Sequence, residues 1–160
     1  EAFDAIIVDS SEPIGPSAVL HTRAFFTDCK QALKTGGILV TQNGLPFLFP
    51  EHLRATTEVF ASLFKSASPF MCTQPCYFGG PFALNAASDG RALQAVSAST
   101  LASRMTKRGI KARYYTPKGH LAAFALPGYV ERIVAEAKSA LPRGKAQAPA
   151  RSRTSARRGR

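Results

Sequence analysis

The apolar run Ala5-Ile6-Ile7-Val8 is followed at once by Asp9-Ser10-Ser11-Glu12-Pro13-Ile14-Gly15-Pro16. This junction restricts the fold more than any other stretch of the chain. A short continuous apolar run reads as a strand buried on both faces, the usual state of a strand in a parallel α/β sheet. Two carboxylates, Asp9 and Glu12, then stand at its C-terminal end in a loop stiffened by two prolines. In open α/β sheets that end is where ligands bind. A carboxylate pair there suits a ligand that is cationic, or one that must lose a proton.

The pattern downstream continues the α/β reading. The first strand is expected over about residues 3 to 9. Ser17 is a candidate cap for a helix running through Phe25, Cys29 and Leu33 and stopping at Gly36-Gly37. Ile38-Leu39-Val40 reads as the next strand, ending at Thr41-Gln42-Asn43-Gly44. Strand, helix and strand in this order form a βαβ unit, whose crossover makes the two strands parallel. Pro50 suits the first turn of a further helix, with Leu53, Thr57, Phe60 and Phe64 on one face. Phe70 to Gln74 and Phe82 to Ser88 read as an antiparallel edge pair around the turn-rich Pro75-Cys76-Tyr77-Phe78-Gly79-Gly80-Pro81. A helix over about 91 to 108, a short strand at 111 to 115, an apolar strand opened by His120 and a last helix from Pro127 to about Leu141 complete the reading. The expected fold is therefore α/β, with parallel strands and helices followed by an antiparallel edge pair.

Length and charge bound the rest. At 160 residues the chain reads as one domain with enough sequence for a real core. The net charge of +11 is uneven: residues 142 to 160 hold seven Lys/Arg and no acid, which leaves 14 basic and 10 acidic residues, or +4, for the body. We expect residues 1–141 to be the folded part and 142–160 to be a basic disordered tail. No apolar run is long enough to span a membrane. The chain opens on Glu1 rather than Met and shows no signal peptide, so it reads as a fragment of a longer protein. Three cysteines (Cys29, Cys72, Cys76) are too few and too odd in number for a disulfide framework. They suit a reducing, cytoplasmic setting, and Cys72 and Cys76, spaced C-x3-C, read as buried thiols rather than metal ligands. No metal site is expected. His21 and His52 read as solvated helix residues.

The stretch from Phe3 to Pro16 closely resembles the catalytic segment of spermidine synthases, the polyamine aminopropyltransferases. Four more segments agree in order and spacing: Phe25 to Lys30, Gly36 to Gly44, Pro75 to Gly80, and Arg113-Tyr114-Tyr115-Thr116-Pro117 with His120 to Pro127. The resemblance runs to about residue 140, is closest to bacterial members, and implies a Rossmann-like, methyltransferase-type sheet. It also implies aminopropyl transfer from decarboxylated S-adenosylmethionine to putrescine, giving spermidine and 5′-methylthioadenosine, with the donor a co-substrate and no cofactor required. A homodimer or homotetramer is implied for the full-length protein.

Carried over residue by residue, the resemblance makes Asp9 the proton acceptor. Asp9, Ser10, Ser11, Glu12, Gln42 and Tyr77 become the polyamine-binding set, and Pro16 lines the nucleoside pocket. Glu12 departs from the Asp usual in the family, and Cys76 from the Thr more often seen before the tyrosine. The family's Gly-rich donor loop and small N-terminal β-domain have no counterpart in these residues. Two other readings compete. One is an S-adenosylmethionine-dependent methyltransferase-like enzyme. The other is an inactive domain whose Arg-rich tail binds nucleic acid through phosphate contacts.

Overall fold

The computed structural model describes residues 2–77, 80–90 and 92–141. The chain begins with β1 (Phe3–Val8) and a 3₁₀ turn (Gly15–His21), followed by α1 (Arg23–Ala32) and β2 (Leu33–Gln42). Helix α2 (Pro50–Leu63) leads to β3 (Ser66–Thr73) and β4 (Pro81–Ser88). A short 3₁₀ turn (Leu93–Ala95) and helices α3 (Ala98–Lys107), α4 (Pro117–Ala123) and α5 (Gly128–Ser139) follow. The sheet order is β1-β2-β4-β3. β1 and β2 are parallel, from Ala5 opposite Ile38 to Val8 opposite Thr41. β4 runs antiparallel to both β2 and β3, so β3 is an edge strand, where Pro69 is tolerated.

Alternation along β2 sorts the two faces. Leu39 is fully buried under α1 and α2, in a cluster with Phe26, Cys29, Leu33, Phe60, Phe64 and Ala87. Phe26 and Phe60 meet edge-on at 4.9 Å, the arrangement that aromatic quadrupoles favour. A second cluster joins Leu53 of α2 and Ala83 of β4 to Val130 and Ile133 of α5. Ile38 and Val40 point the other way, into a cavity of about 860 Å³ shared with Phe70, Tyr115, His120 and Phe124.

Several expectations are corrected. β1 is half-covered rather than buried on both faces. Ile6 and Val8 pack on the core, but Ile7, which stands beside Val40 on the opposite face, is 74% exposed and Phe3 54%. Thr22, not Ser17, caps α1, its hydroxyl accepting from the Phe25 N–H at 3.2 Å. The Ser17 hydroxyl instead donates to the carbonyls of Glu12 and Ile14, closing the 3₁₀ turn entered at Pro16. Helix α1 ends at Ala32, and Leu33 is already extended. Gly36 takes φ +76° inside β2, a conformation open chiefly to glycine. It lies where the register with β1 shifts between the Phe3 and Ala5 pairs, so the glycine pair bends a strand rather than stopping a helix.

Helix α3 begins at Ala98, where Ser97 caps it by accepting from Thr100 N–H at 3.2 Å. Residues 111 to 115 form no strand. The apolar stretch opened by His120 is not a strand either: it starts inside α4, whose cap, Thr116, accepts from Gly119 N–H at 2.9 Å. A capping threonine followed by proline nucleates a helix there, and Leu and Ala sustain it. The expected tail, residues 142 to 160, lies outside the described residues.

Cys29 is buried and Cys72 half-buried, but Cys76 is exposed, against expectation. Burial pushes the Cys29 thiol up, helped by the Asp28 charge, and burial alone does so for Cys72. Lys30 of α1 reaches across to Asp89 after β4 at 2.8 Å, and the Lys65 N–H also donates to Asp89 at 2.9 Å. Partial burial disfavours the Asp89 charge. The Lys30 hydrogen bond, the Lys65 N–H and both positive charges outweigh it and hold the carboxyl below its usual range.

Candidate active site at the C-terminal end of β1 and β2

Val8 pairs with Thr41, so Asp9 leaves β1 beside Gln42, the last residue of β2. Asp9 is exposed. The loop after it is held by its neighbours rather than by its own sequence. The Gln42 amide, buried, donates to the Ser10 carbonyl at 2.7 Å and accepts from Gly44 N–H at 2.8 Å. His21, from the 3₁₀ turn, puts Nε2 3.1 Å from the Ser10 hydroxyl and 3.1 Å from the Ser11 carbonyl. The Ser10 hydroxyl, the Ser10 carbonyl and the Ser11 carbonyl are therefore engaged within the chain.

Glu12 sits deeper than Asp9. Its Oε1 faces Gly44, where a Cβ would approach it to 3.1 Å, and its Oε2 lies 2.9 Å from His52 Nδ1. His52 stands in the first turn of α2, stacked on Phe49 with ring centres 5.5 Å apart. Helix α2 is pinned to the strand ends by two buried pairs. Asn43 donates to the Thr56 hydroxyl at 2.9 Å, and Asn85 to Thr57 at 2.9 Å.

The turn before β4 closes the same end of the sheet. Asn43 N–H bonds the Ala83 carbonyl at 2.8 Å, and Ala83 N–H bonds Gly44 at 2.9 Å. Tyr77, 47% exposed, leans on Phe82 with ring centres 5.2 Å apart. Its carbonyl accepts from Gly80 N–H, and Gly80 lies against Leu45.

The structure thus gathers Asp9, Ser10, Ser11, Glu12 and Gln42 in one place, with Tyr77 on the bordering turn. Pro16 is exposed in the second position of the 3₁₀ turn, as a helix-entry proline would be. Sequence reasoning missed His21, His52 and Gly44. Both histidines contact the carboxylate loop and are not the solvated helix residues expected. The one local hint for His52 was Pro50, which opens a helix whose N-terminal end favours a nearby carboxylate.

Chemically, an exposed carboxylate beside a second, positioned carboxylate can accept a proton from a cationic group that the second one holds. Among the described residues, no helix is long and apolar enough to cross a membrane.

Comparison with known proteins identifies the family. Residues 1–95 match the family model described as spermine/spermidine synthase domain. A polyamine aminopropyltransferase of Ruegeria sp. (strain TM1040) is 45% identical over 133 residues, covering 83% of this chain and 47% of that protein. Polyamine aminopropyltransferase 1 of Pseudomonas aeruginosa is 41% identical over 134 residues, covering 84% and 47%. The chain thus spans about half the length of the curated relatives it matches. A spermidine synthase solved in complex with the transition-state analogue AdoDATO superposes with a TM-score of 0.74 at 25% identity, over 84% of this chain and 45% of that one. The Thermotoga maritima spermidine synthase gives 0.72 at 25% identity, over 84% and 44%.

Proposed function

The chain belongs to the spermine/spermidine synthase domain family, and from that premise we propose that it acts in aminopropyl transfer from decarboxylated S-adenosylmethionine to putrescine. Spermidine and 5′-methylthioadenosine would be the products. The observation that supports this reading is the Asp9–Glu12 loop, locked by Gln42 at the C-terminal end of the parallel strand pair.

An alkylammonium has a pKa near that of lysine, about 10.4, so at neutral pH the acceptor nitrogen has no lone pair to offer. Asp9 takes the proton. The freed nitrogen forms a bond to the carbon next to the sulfonium, the carbon–sulfur bond breaks, and its electron pair leaves with sulfur as a neutral thioether. Glu12 holds the acceptor by charge. Ser10, Ser11 and Gln42 shape the channel, and Tyr77 packs on the acceptor's methylenes. Pro16 borders the nucleoside. A cytoplasmic setting and assembly as a homodimer or homotetramer belong to the same proposal.

Asp9→Asn and Glu12→Gln, compared in the whole enzyme, test it. Asp9→Asn should lower kcat by 10²–10⁴-fold, whereas Glu12→Gln should act mainly on the KM for putrescine. An Asp9→Asn enzyme keeping more than roughly a tenth of kcat would remove Asp9 from the base role, given the size expected of such catalysis. Glu12→Asp restores the usual family residue. If it leaves the preference between putrescine and cadaverine untouched, the carboxylate's reach does not set acceptor length.

A further inference from the structure

We propose that His52 is a positioning residue that fixes the Glu12 carboxylate for a cationic acceptor. The inference rests on the assignment of Glu12 to the acceptor made above. A glutamate has one more rotatable bond than the aspartate it replaces, and ordering that bond costs side-chain entropy. A carboxylate meant to hold a cation therefore gains from contacts that keep it in one place before the cation arrives.

Two such contacts are present. Gly44 offers Oε1 a surface without a side chain, and its φ of +65° keeps a larger residue away. His52 Nδ1 faces Oε2 at 2.9 Å. That nitrogen is shielded from solvent and has no aligned hydrogen-bond partner. Its distance to Oε2 is that of a hydrogen bond, and its direction is not. Buried polar atoms without partners are rare and costly, and site hydrogen bonds that are misaligned without ligand commonly tighten when it binds. With its proton on Nδ1, the imidazole donates to Oε2 after a small rotation of either group, leaving Oε1 for the cation.

The imidazole is itself held. Phe49 stacks on it at an interplanar angle of 12°, Glu51 lies 3.8 Å from its Nε2, and the Asn43–Thr56 bond anchors the helix beneath it. Only 21% of the His52 side chain is exposed, so it is not one of the freely solvated histidines of a helix surface.

Calorimetric titration of the whole enzyme with putrescine, with thermal midpoints recorded alongside, tests the proposal in four proteins: wild type, Glu12→Gln, His52→Phe and His52→Gln. Phenylalanine keeps the stack on Phe49 and loses the donor; glutamine keeps a donor and loses the ring. Hydrogen bonds to charged groups support an expectation of about tenfold weaker binding for Glu12→Gln and about five- to tenfold for His52→Phe. His52→Gln should stay within about threefold of wild type on the same argument. A His52→Phe protein that binds as wild type while Glu12→Gln is weakened overturns the role of His52 and leaves Glu12 in place. Tighter binding by His52→Phe would show a histidine competing with the cation, and equal losses in both His52 variants would show that the ring matters rather than its donor; either overturns the proposal. If wild type does not bind putrescine, or Glu12→Gln binds equally well, the acceptor assignment falls and this inference falls with it.

Discussion

The side-chain amide of Gln42 donates to the main-chain carbonyl of Ser10 at 2.7 Å, bridging the C-terminal ends of β1 and β2. The same amide accepts from Gly44 N–H at 2.8 Å. One buried residue therefore ties the carboxylate loop to the loop that faces it, and the geometry of the site depends on an amide that both donates and accepts.

Gln42→Leu keeps the apolar volume and removes both bonds. It strands the Ser10 carbonyl and the Gly44 N–H, at about 1–3 kcal/mol for each group left unsatisfied. We expect the thermal midpoint of the chain to fall by at least roughly 4–8 °C, the shift implied at this size by about 2 kcal/mol, the low end for two such groups, and putrescine binding to weaken with it. Scanning calorimetry decides the point. A midpoint unchanged from wild type would show that the bridge contributes nothing.

Gly44→Ala acts on the same loop from the other side. Its φ of +65° puts a side chain in the left-handed region, which costs roughly 1–2 kcal/mol for a residue with a Cβ. The added Cβ would also stand 3.1 Å from Glu12 Oε1, so the carboxylate must retreat. Acceptor affinity should drop by more than the stability loss alone would bring about. Gly90→Ala is a control for crowding away from the site: there a Cβ meets Gly36 Cα at 3.1 Å. Equal acceptor affinity in the two variants would separate Gly44 from the acceptor.

Asp89 makes stability depend on pH. Its carboxyl is held below the usual range in the fold, so its contribution is complete above the unfolded-state value of about 4 and is lost as pH falls through the folded value. The Lys30–Asp89 pair is about a third exposed, so the ion pair is worth at most about 1 kcal/mol. Asp89→Asn should lower stability near neutral pH and converge on wild type in acid. Urea denaturation at pH 7 and pH 3 reads this directly. A difference that grows towards acid would reverse the assigned sign.

The parallel pair, α2 and the β3–β4 hairpin were legible because their signals are local: an apolar run, a proline in a first turn, helical spacing of Leu53, Thr57 and Phe60. The misreadings have separate causes. Gly36-Gly37 looked like a helix stop and is a bend in a strand, because what decides it is pairing with β1, far away in sequence. Leu121 to Leu126 carried an apolar run, and the Thr116 cap decided for a helix. The carboxylate loop was readable from its residues, but its supports were not. His21 and His52 reach Ser10, Ser11 and Glu12 across 10 to 40 positions, and no periodicity records such contacts.

The edge at β1 carries the last prediction. Among the described residues β1 pairs only with β2, leaving a row of backbone donors and acceptors on its other side. Ile7 is 74% exposed and stands opposite Val40 in the ladder, so it prolongs the apolar face that lines the cavity. An uncovered apolar edge strand is a template for pairing with another chain. We expect the 160-residue chain to self-associate with rising concentration. Ile7→Lys, a charge of the kind that natural edges use against pairing, should suppress this while changing the thermal midpoint little, because Ile7 buries little surface. Sedimentation velocity over a roughly hundredfold concentration range, broad enough to expose weak edge pairing, distinguishes the outcomes. If wild type stays monomeric throughout, or Ile7→Lys associates as strongly as wild type, β1 is not the surface through which chains meet.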